Sequence, residues 1–493
     1  MSYYTALIVM AENVRKKFFS GIAWTFIQNV VVRALGLIVT IILARLLLPE
    51  DYGLIGMLSI FIAISDVFIQ SGFGQALIQK SDCSDEDFST AFYFNVAVSV
   101  LIYVILFFSA PYIADFYHEP KLIIITRVLS LNFVFGSFNV VQQSKLKKSL
   151  NFKPLAIITL ICTFISGVIG IGMAYCGYGV WALVGQTLSA TFLRVVFFPI
   201  FTKWHPNKPF NIQSFRHLWA FGSKILVTGI LDVVIVNLSN ILIGRYYDKE
   251  QVGYFSKARN FADIPAMTMS TVLGTVLYPV LSEIHNNEER HTAVYRKVTR
   301  YSIILSFPVM IILAILAKPI VIILFTEKWA PAIPLLRALL LARCFLTLNV
   351  INANMLQSRG ETRLYMHLYF LAGPVSLLAI IISIPYGVQA MAWATLISGY
   401  IHYAIFAIAI GKKIDYGYFR QLRDRGRIFI ALIIMSISVL FSTVWLTSLW
   451  LQLIVGVIVG FVVYIVCCKL FNIVDEELVK MVRDKIQIRF RKN

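Results

Sequence analysis

Residues 43–53 read Leu43-Ala44-Arg45-Leu46-Leu47-Leu48-Pro49-Glu50-Asp51-Tyr52-Gly53, and about 200 residues later the chain repeats the pattern as Ile243-Gly244-Arg245, Glu250 and Gly253. The echo continues at Gly74 and Leu77, matched by Gly274 and Leu277. Further on, Arg127 and Asn139-Val140 correspond to Arg337 and Asn349-Val350, and Tyr178-Gly179-Val180 to Tyr386-Gly387-Val388. A unit recurring at this period is a structural repeat, and in an apolar chain it points to a transporter. Two related lobes leave a central site that rocking can open to either side.

The chain is that apolar. Of its 493 residues 59% are hydrophobic and only 14% charged, with a mean hydropathy of +0.78, against roughly 25% charge in an average soluble domain. The reading is an all-α integral membrane protein. Apolar runs bounded by Pro, Gly and charge clusters predict helices near 19–47, 53–79, 88–116, 122–147, 154–176 and 179–202, then 217–245, 252–282, 298–325, 332–357, 363–384 and 387–410, with two more at 427–447 and 450–470. The total is about 14 transmembrane helices. Six spans per repeat is an even number, so the halves insert with the same sense and are related by a pseudo-twofold along the membrane normal. The expected organisation is an N-lobe at 1–202, a cytoplasmic linker at 203–215 containing Pro206 and Pro209, a C-lobe at 216–411, an appended two-helix hairpin at 412–471 and a basic tail at 472–493.

Lys and Arg set the orientation. With the N-terminus cytoplasmic, the same side collects Arg15 to Lys17, Lys145 to Lys153, Lys412 to Arg427 and the tail from Lys480, while the opposite loops carry few. The net charge of +19 is therefore topology information rather than a nucleic-acid footprint, although the basic tail can also meet anionic headgroups. Arg15 to Lys17 follow rather than precede the short apolar start, which is the wrong order for a cleavable signal. Met10 would itself make an ordinary start, leaving residues 1–9 as an upstream extension. The six cysteines show no metal-ligand spacing. No Walker loop, dinucleotide fingerprint, HExxH or GxSxG occurs. Asp82, Asp85, Glu86 and Asp87, flanked by Ser81 and Ser84, read as a solvated, capped helix start rather than a metal site. No cofactor, metal or catalytic residue is expected.

The segment Leu46 to Gly53, the helix ending Ser71-Gly72-Phe73-Gly74-Gln75-Ala76-Leu77, its partner Val252-Gly253-Tyr254-Phe255-Ser256-Lys257-Ala258, and YGVWAL at Tyr178 to Leu183 resemble polysaccharide flippases of the multidrug/oligosaccharidyl-lipid/polysaccharide superfamily. The resemblance covers about the first 410 residues plus the two-span extension, and is nearest to the colanic-acid and teichuronic-acid exporter type. It implies a two-lobed bundle in the bacterial plasma membrane, both termini cytoplasmic, that moves an undecaprenyl-pyrophosphate-linked sugar repeat unit by alternating access. Its partners would be the lipid-linked oligosaccharide, membrane lipids, a polysaccharide polymerase and glycosyltransferases. A cation-coupled drug antiporter of the same superfamily is the alternative. A membrane glycosyltransferase or polymerase is disfavoured because no long soluble loop is present.

A pyrophosphate cargo requires intramembrane cations. Thr25, Asn29, Arg33, Gly36 and Thr40 share one face of the first helix, and a charge at mid-span costs roughly 2.5 to 3.5 kcal/mol unless it faces protein or water. The context of Arg33 is similar to the first helix of lipid II flippases, where the matching arginine lies in the central cavity. The cation those flippases carry in the second helix has no match here, the nearby charge being Asp66. Lys224, Thr228 and Asp232 share a face of the seventh helix, with Asp232 near the repeat-mate of Arg33, as a gate or ion-coupling pair, or in a plain interaction with Lys224. Arg259 and Asp263 stand i,i+4 and can pair with each other. Arg343 lies deep in the tenth helix. Arg127 and Arg337 sit at helix starts and can snorkel. Asn132, Asn139, Gln142, Gln143, Asn349, Asn352, Asn354 and Gln357 either bind sugar hydroxyls or bridge packed helices.

Overall fold

The computed structural model describes residues 31–70, 73–80, 82–284, 288–414 and 416–473, and among them it contains helices and no strand. Two compact units divide the chain, Met1–Gly253 and Tyr254–Asn493. In the first, α1 covers 31–46, followed by α2 (Pro49–Gln70), α3 (Phe73–Gln79), α4 (Asp85–Tyr117), α5 (Leu122–Leu129), α6 (Leu131–Lys148), α7 (Phe152–Tyr175), α8 (Val180–Thr202) and α9 (Ile212–Tyr246). Then come α10 (Lys249–Glu283), whose first turn still belongs to unit 1, α11 (Glu288–Ile315), α12 (Ala317–Phe325), α13 (Ala332–Ser358), α14 (Thr362–Ser383), α15 (Val388–Gly411), α16 (Tyr418–Val444) and α17 (Leu449–Leu470).

Eleven helices among the described residues are long and apolar enough to cross a membrane. This is a multi-pass membrane protein. The other three expected spans fall on α1, α9 and α10, and the stretch 19–30 of the first lies outside the described residues. Several helices begin earlier than expected, most of all α11 at Glu288 rather than 298 and α16 at Tyr418 rather than 427. Hydropathy marks where a chain is apolar, whereas a helix can run on through a polar turn.

The repeated motifs turn out to be packing devices. In unit 1 the first turns of α2 and α10 cross so closely that a Cβ on Gly53 would lie 1.8 Å from the Lys249 carbonyl oxygen, and one on Gly253 2.0 Å from that of Pro49. Only glycine allows this approach, the device by which membrane helices gain packing where no hydrophobic drive separates them from lipid. Lys249 Nζ secures the crossing from 3.4 Å to Glu50 and 3.2 Å to Glu119. Asp51 accepts the Leu48 amide at 3.0 Å and meets the Val180 amide, tying this corner to the start of α8. There Gly179 holds φ 55°, and its repeat-mate Gly387, before α15, holds φ 96°. Both are left-handed conformations that a side chain disfavours.

The acidic cluster behaves as a cap. The Ser84 side chain accepts the Asp87 amide at 3.2 Å, the Asp87 carboxylate accepts the Ser84 amide at 3.0 Å, and Lys80 pairs with Asp87 at 2.6 Å. Lys148 donates to the Leu77 carbonyl at 3.1 Å, closing the end of α3. In unit 2, Lys257 of the second motif lies 4.8 Å over the Phe325 ring and 5.6 Å over Trp329. The hairpin α16–α17 packs on α11 and α12. Gly456 and Gly460, one GxxxG step apart, receive Leu316 and Ile312 so closely that a Cβ would come within 2.6 and 2.8 Å.

Candidate functional site

Unit 1 holds a partly open polar cavity of about 380 Å³ between α2, α3, α6 and α8. Among the described residues its charged lining consists of Asp66, Lys147 and Arg194, with Asn132, Gln143 and Thr191 beside them. At 1.5 Å per residue, Asp66 lies about 25 Å along α2 from Pro49, and Arg194 about 21 Å along α8 from Val180. The two opposite charges feel each other across the cavity. Lys147, in the last turn of α6, adds a second cation where α2, α6 and α8 finish.

Hydrogen bonding separates the ambiguous amides of α6. Gln142 is structural: its amide donates to the Trp204 carbonyl at 3.0 Å and its oxygen accepts from Thr202. Asn139 donates to the carbonyls of Phe135 and Thr191 at 3.2 and 3.3 Å. Asn132 accepts from Thr191 at 2.6 Å. Gln143 lines the cavity. Among the described residues, Arg194 Nε and Asn139 Oδ1 are buried without a hydrogen-bond partner. Buried polar atoms left unpaired in residues that line a cavity call for a ligand or water to complete their hydrogen bonding.

Arg194 is absent from the residues that sequence reasoning singled out. It stands in the middle of a predicted span, so the criterion that selected Arg33 would have selected it as well. The repeat hid it, since the residue 208 positions on is His402, stacked on Phe406 with centroids 4.7 Å apart.

Unit 2 carries a second charged cluster on the helix that echoes α2. Asp263 lies about 21 Å along α10 and is met by Arg343 of α13, whose Nε donates to its carboxylate. Arg259 approaches the same carboxylate at 3.8 Å. The i,i+4 pair therefore exists, with Arg343 as a further partner that local spacing does not reveal. Two arginines share one carboxylate.

The remaining candidates are placed as follows. Arg33 is exposed on α1 and is not among the residues lining the cavity. Thr25 and Asn29 lie outside the described residues, and the side chains of Lys224, Thr228 and Asp232 on α9 are outside them too. Arg127 packs 4.4 Å over Phe107 and donates to its carbonyl, a structural role at the start of its span. Asn352 accepts the Tyr295 hydroxyl at 2.6 Å, bridging α13 to α11.

Residues 42–334 match the family described as polysaccharide biosynthesis protein. The chain belongs to this family. Among relatives of this polysaccharide biosynthesis protein, the teichuronic acid biosynthesis protein TuaB of Bacillus subtilis is 24% identical over 71% of this chain and 73% of its own. The lipopolysaccharide biosynthesis protein WzxC of Escherichia coli is 25% identical over 66% and 67%, and the succinoglycan biosynthesis transport protein ExoT of Rhizobium meliloti is 24% identical over 95% of each. Among solved structures, the lipid II flippase MurJ in an inward closed conformation superposes with a TM-score of 0.75 at 17% identity, covering 93% of this chain and 100% of that one. An inward-facing multidrug resistance MATE transporter of the MOP superfamily superposes with 0.62 at 15% identity, covering 77% and 93%. The polysaccharide biosynthesis protein thus has the multidrug/oligosaccharidyl-lipid/polysaccharide superfamily fold.

Proposed function

We propose that this protein is a flippase that moves an undecaprenyl-pyrophosphate-linked oligosaccharide across the bacterial plasma membrane, for assembly of a surface polysaccharide. The reading rests on the unit 1 cavity, where two cations, one carboxylate and several amide and hydroxyl groups share one polar space inside a membrane bundle. Guanidinium groups suit phosphate oxygens, and amides suit sugar hydroxyls. Fourteen crossings, lobes at 1–202 and 216–411, an appended hairpin and cytoplasmic termini are parts of the same proposal. Alternating access would carry the headgroup while the lipid tail stays in hydrocarbon.

The superfamily also holds multidrug transporters, and Asp66 and Asp263 are suited to cation coupling. The cavity favours an anion because Arg194 and Lys147 outnumber Asp66 in its lining. Deleting the gene separates the two readings. The flippase reading expects loss of a surface polysaccharide with unchanged susceptibility to cationic dyes. Retained polysaccharide with raised dye susceptibility would overturn it in favour of the antiporter.

Arg33 is proposed as a further pyrophosphate contact on α1. Arg33→Ala is expected to abolish export with the protein still inserted, and Arg33→Lys to restore only part, because an ammonium lacks the paired-donor geometry of a guanidinium. Export from Arg33→Ala, Asp232→Ala and the double variant, normalised to membrane protein, is the check. Rescue by the double variant would show that Arg33 only balances Asp232.

A further inference from the structure

At the end of unit 2 where α11 and α16 begin, a second cavity of about 280 Å³ is lined by Arg296, Arg300, Arg423, Arg425 and Arg427, with Asp424 as the one carboxylate among the described lining residues. The polar extension of α16, residues 418–427, builds this pocket, and Asn472 and Ile473 beyond α17 close it. It belongs to the appended hairpin and to the first half of α11, in the other unit from the cavity assigned to transport.

Among the described lining residues, arginines outnumber carboxylates. Asp424 is taken up by Arg296 at 2.6 Å. Arg300 donates to the Ile473 carbonyl at 2.6 Å, which ties α11 to the end of the hairpin. Arg423 and Arg427 stand i,i+4 on one helix, a like-charge spacing that weakens a helix. Arg425 is 1% exposed. Its Nη1 donates to the Tyr403 hydroxyl at 2.7 Å, while Nε and Nη2 have no hydrogen-bond partner among the described residues. A buried guanidinium with two unused donors and no carboxylate of its own is costly unless an anion supplies the missing charge and acceptors.

The Arg425 side chain is also held in place. The Tyr403 hydroxyl donates to Gln421 at 2.8 Å, and Gln421 donates to the Tyr416 carbonyl at 3.1 Å and the Tyr295 hydroxyl at 3.3 Å. A buried chain of hydrogen bonds running to Asn352 of α13 thus fixes the guanidinium before any ligand arrives.

We propose that this pocket binds a phosphate group, with Arg425 as the buried anchor and Arg423 and Arg427 at the rim. A tetrahedral oxyanion offers enough acceptors for several guanidinium forks at once, which a monovalent halide does not. The phosphate can belong to an anionic phospholipid headgroup or to a free phosphate in solution, and the two sources are distinguishable. The inference stands apart from the transport reading, because binding is read directly.

The experiment uses the full chain purified in a neutral detergent. Phosphatidylglycerol retained after exchange from mixed lipid is measured by native mass spectrometry, and radiolabelled inorganic phosphate binding by scintillation proximity at constant ionic strength. Wild-type protein is expected to hold one of the two ligands. Arg423→Gln/Arg427→Gln is expected to lose at least about tenfold in affinity, since two charge-assisted contacts are removed. Arg425→Lys, which keeps the charge and loses the fork, should weaken binding as well. Arg363→Gln, an exposed arginine at the start of α14 outside the pocket, should bind as wild type does. Lipid retained against excess phosphate identifies a headgroup site, and phosphate bound without lipid retention identifies a soluble ligand. Absence of both ligands from wild-type protein would overturn the proposal. So would equal loss in Arg363→Gln, which would reveal general surface charge, or unchanged binding in the double rim variant. If Arg425→Lys does not fold, the rim variant decides alone.

Discussion

Arg194→Ala is expected to abolish polysaccharide export at an unchanged amount of protein in the membrane. Arg194 is the cation set against Asp66 in the unit 1 cavity. Removing a partner that makes charge-assisted hydrogen bonds to a bound phosphate costs about 1.5 to 3 kcal/mol per bond, roughly 10- to 150-fold in affinity. Removing one member of a buried pair costs about 3 to 5 kcal/mol, because the other is left without compensation. The design of the variant set separates the two causes. Asp66→Asn in the Arg194→Ala background removes the stranded charge. If Arg194 serves only to balance Asp66, the double variant recovers export; if Arg194 holds the phosphate, export stays lost. Arg194→Lys is expected to be intermediate, since charge survives and the planar fork does not.

Gly53→Leu should reduce export at least fivefold at matched membrane levels, and Gly253→Leu likewise. A Cβ at either position runs into backbone rather than into the flexible end of a side chain, so the two helices must part. Overpacking of this kind costs about 1 to 3 kcal/mol. If the crossing belongs to one state of the transport cycle, that cost moves a two-state equilibrium by about 5- to 150-fold. Gly172→Ala on α7, where a Cβ meets nothing within 4 Å, is expected to leave export unchanged. Export normalised to protein in the membrane checks all three, and normal activity in Gly53→Leu would show that the close approach is not needed for transport.

The parts of the molecule legible in the sequence are those whose physics is local or repeated. Apolar runs marked the helices because lipid imposes a length and a polarity on each. The glycines of the repeat could be picked out because backbone approach at Gly53 and Gly253, and left-handed φ at Gly179 and Gly387, are requirements of position. The Ser84 cap was readable because its two hydrogen bonds close within four residues. What escaped depends on which helix faces which. Arg343 and Asp263 are 80 residues apart and meet only once α10 and α13 pack. Gln142 and Gln143 are adjacent in sequence, and only the position of α8 makes one a brace and the other a cavity wall. The arginine pocket of unit 2 was invisible for another reason: the run from Lys412 to Arg427 served the orientation argument, and a single explanation for those charges concealed a second.

The central claim is that the protein carries a lipid-linked oligosaccharide from the inner to the outer leaflet of the plasma membrane. The most direct test is the leaflet distribution of that lipid in right-side-out and inverted membrane vesicles, read by an impermeant sugar-oxidising or lectin probe. Vesicles from a strain expressing the wild-type protein are predicted to expose the oligosaccharide on the outer face. Those from the deletion strain, or from one expressing Arg194→Ala, are predicted to retain it on the inner face. Outer-leaflet oligosaccharide at wild-type levels in the deletion strain would contradict the account.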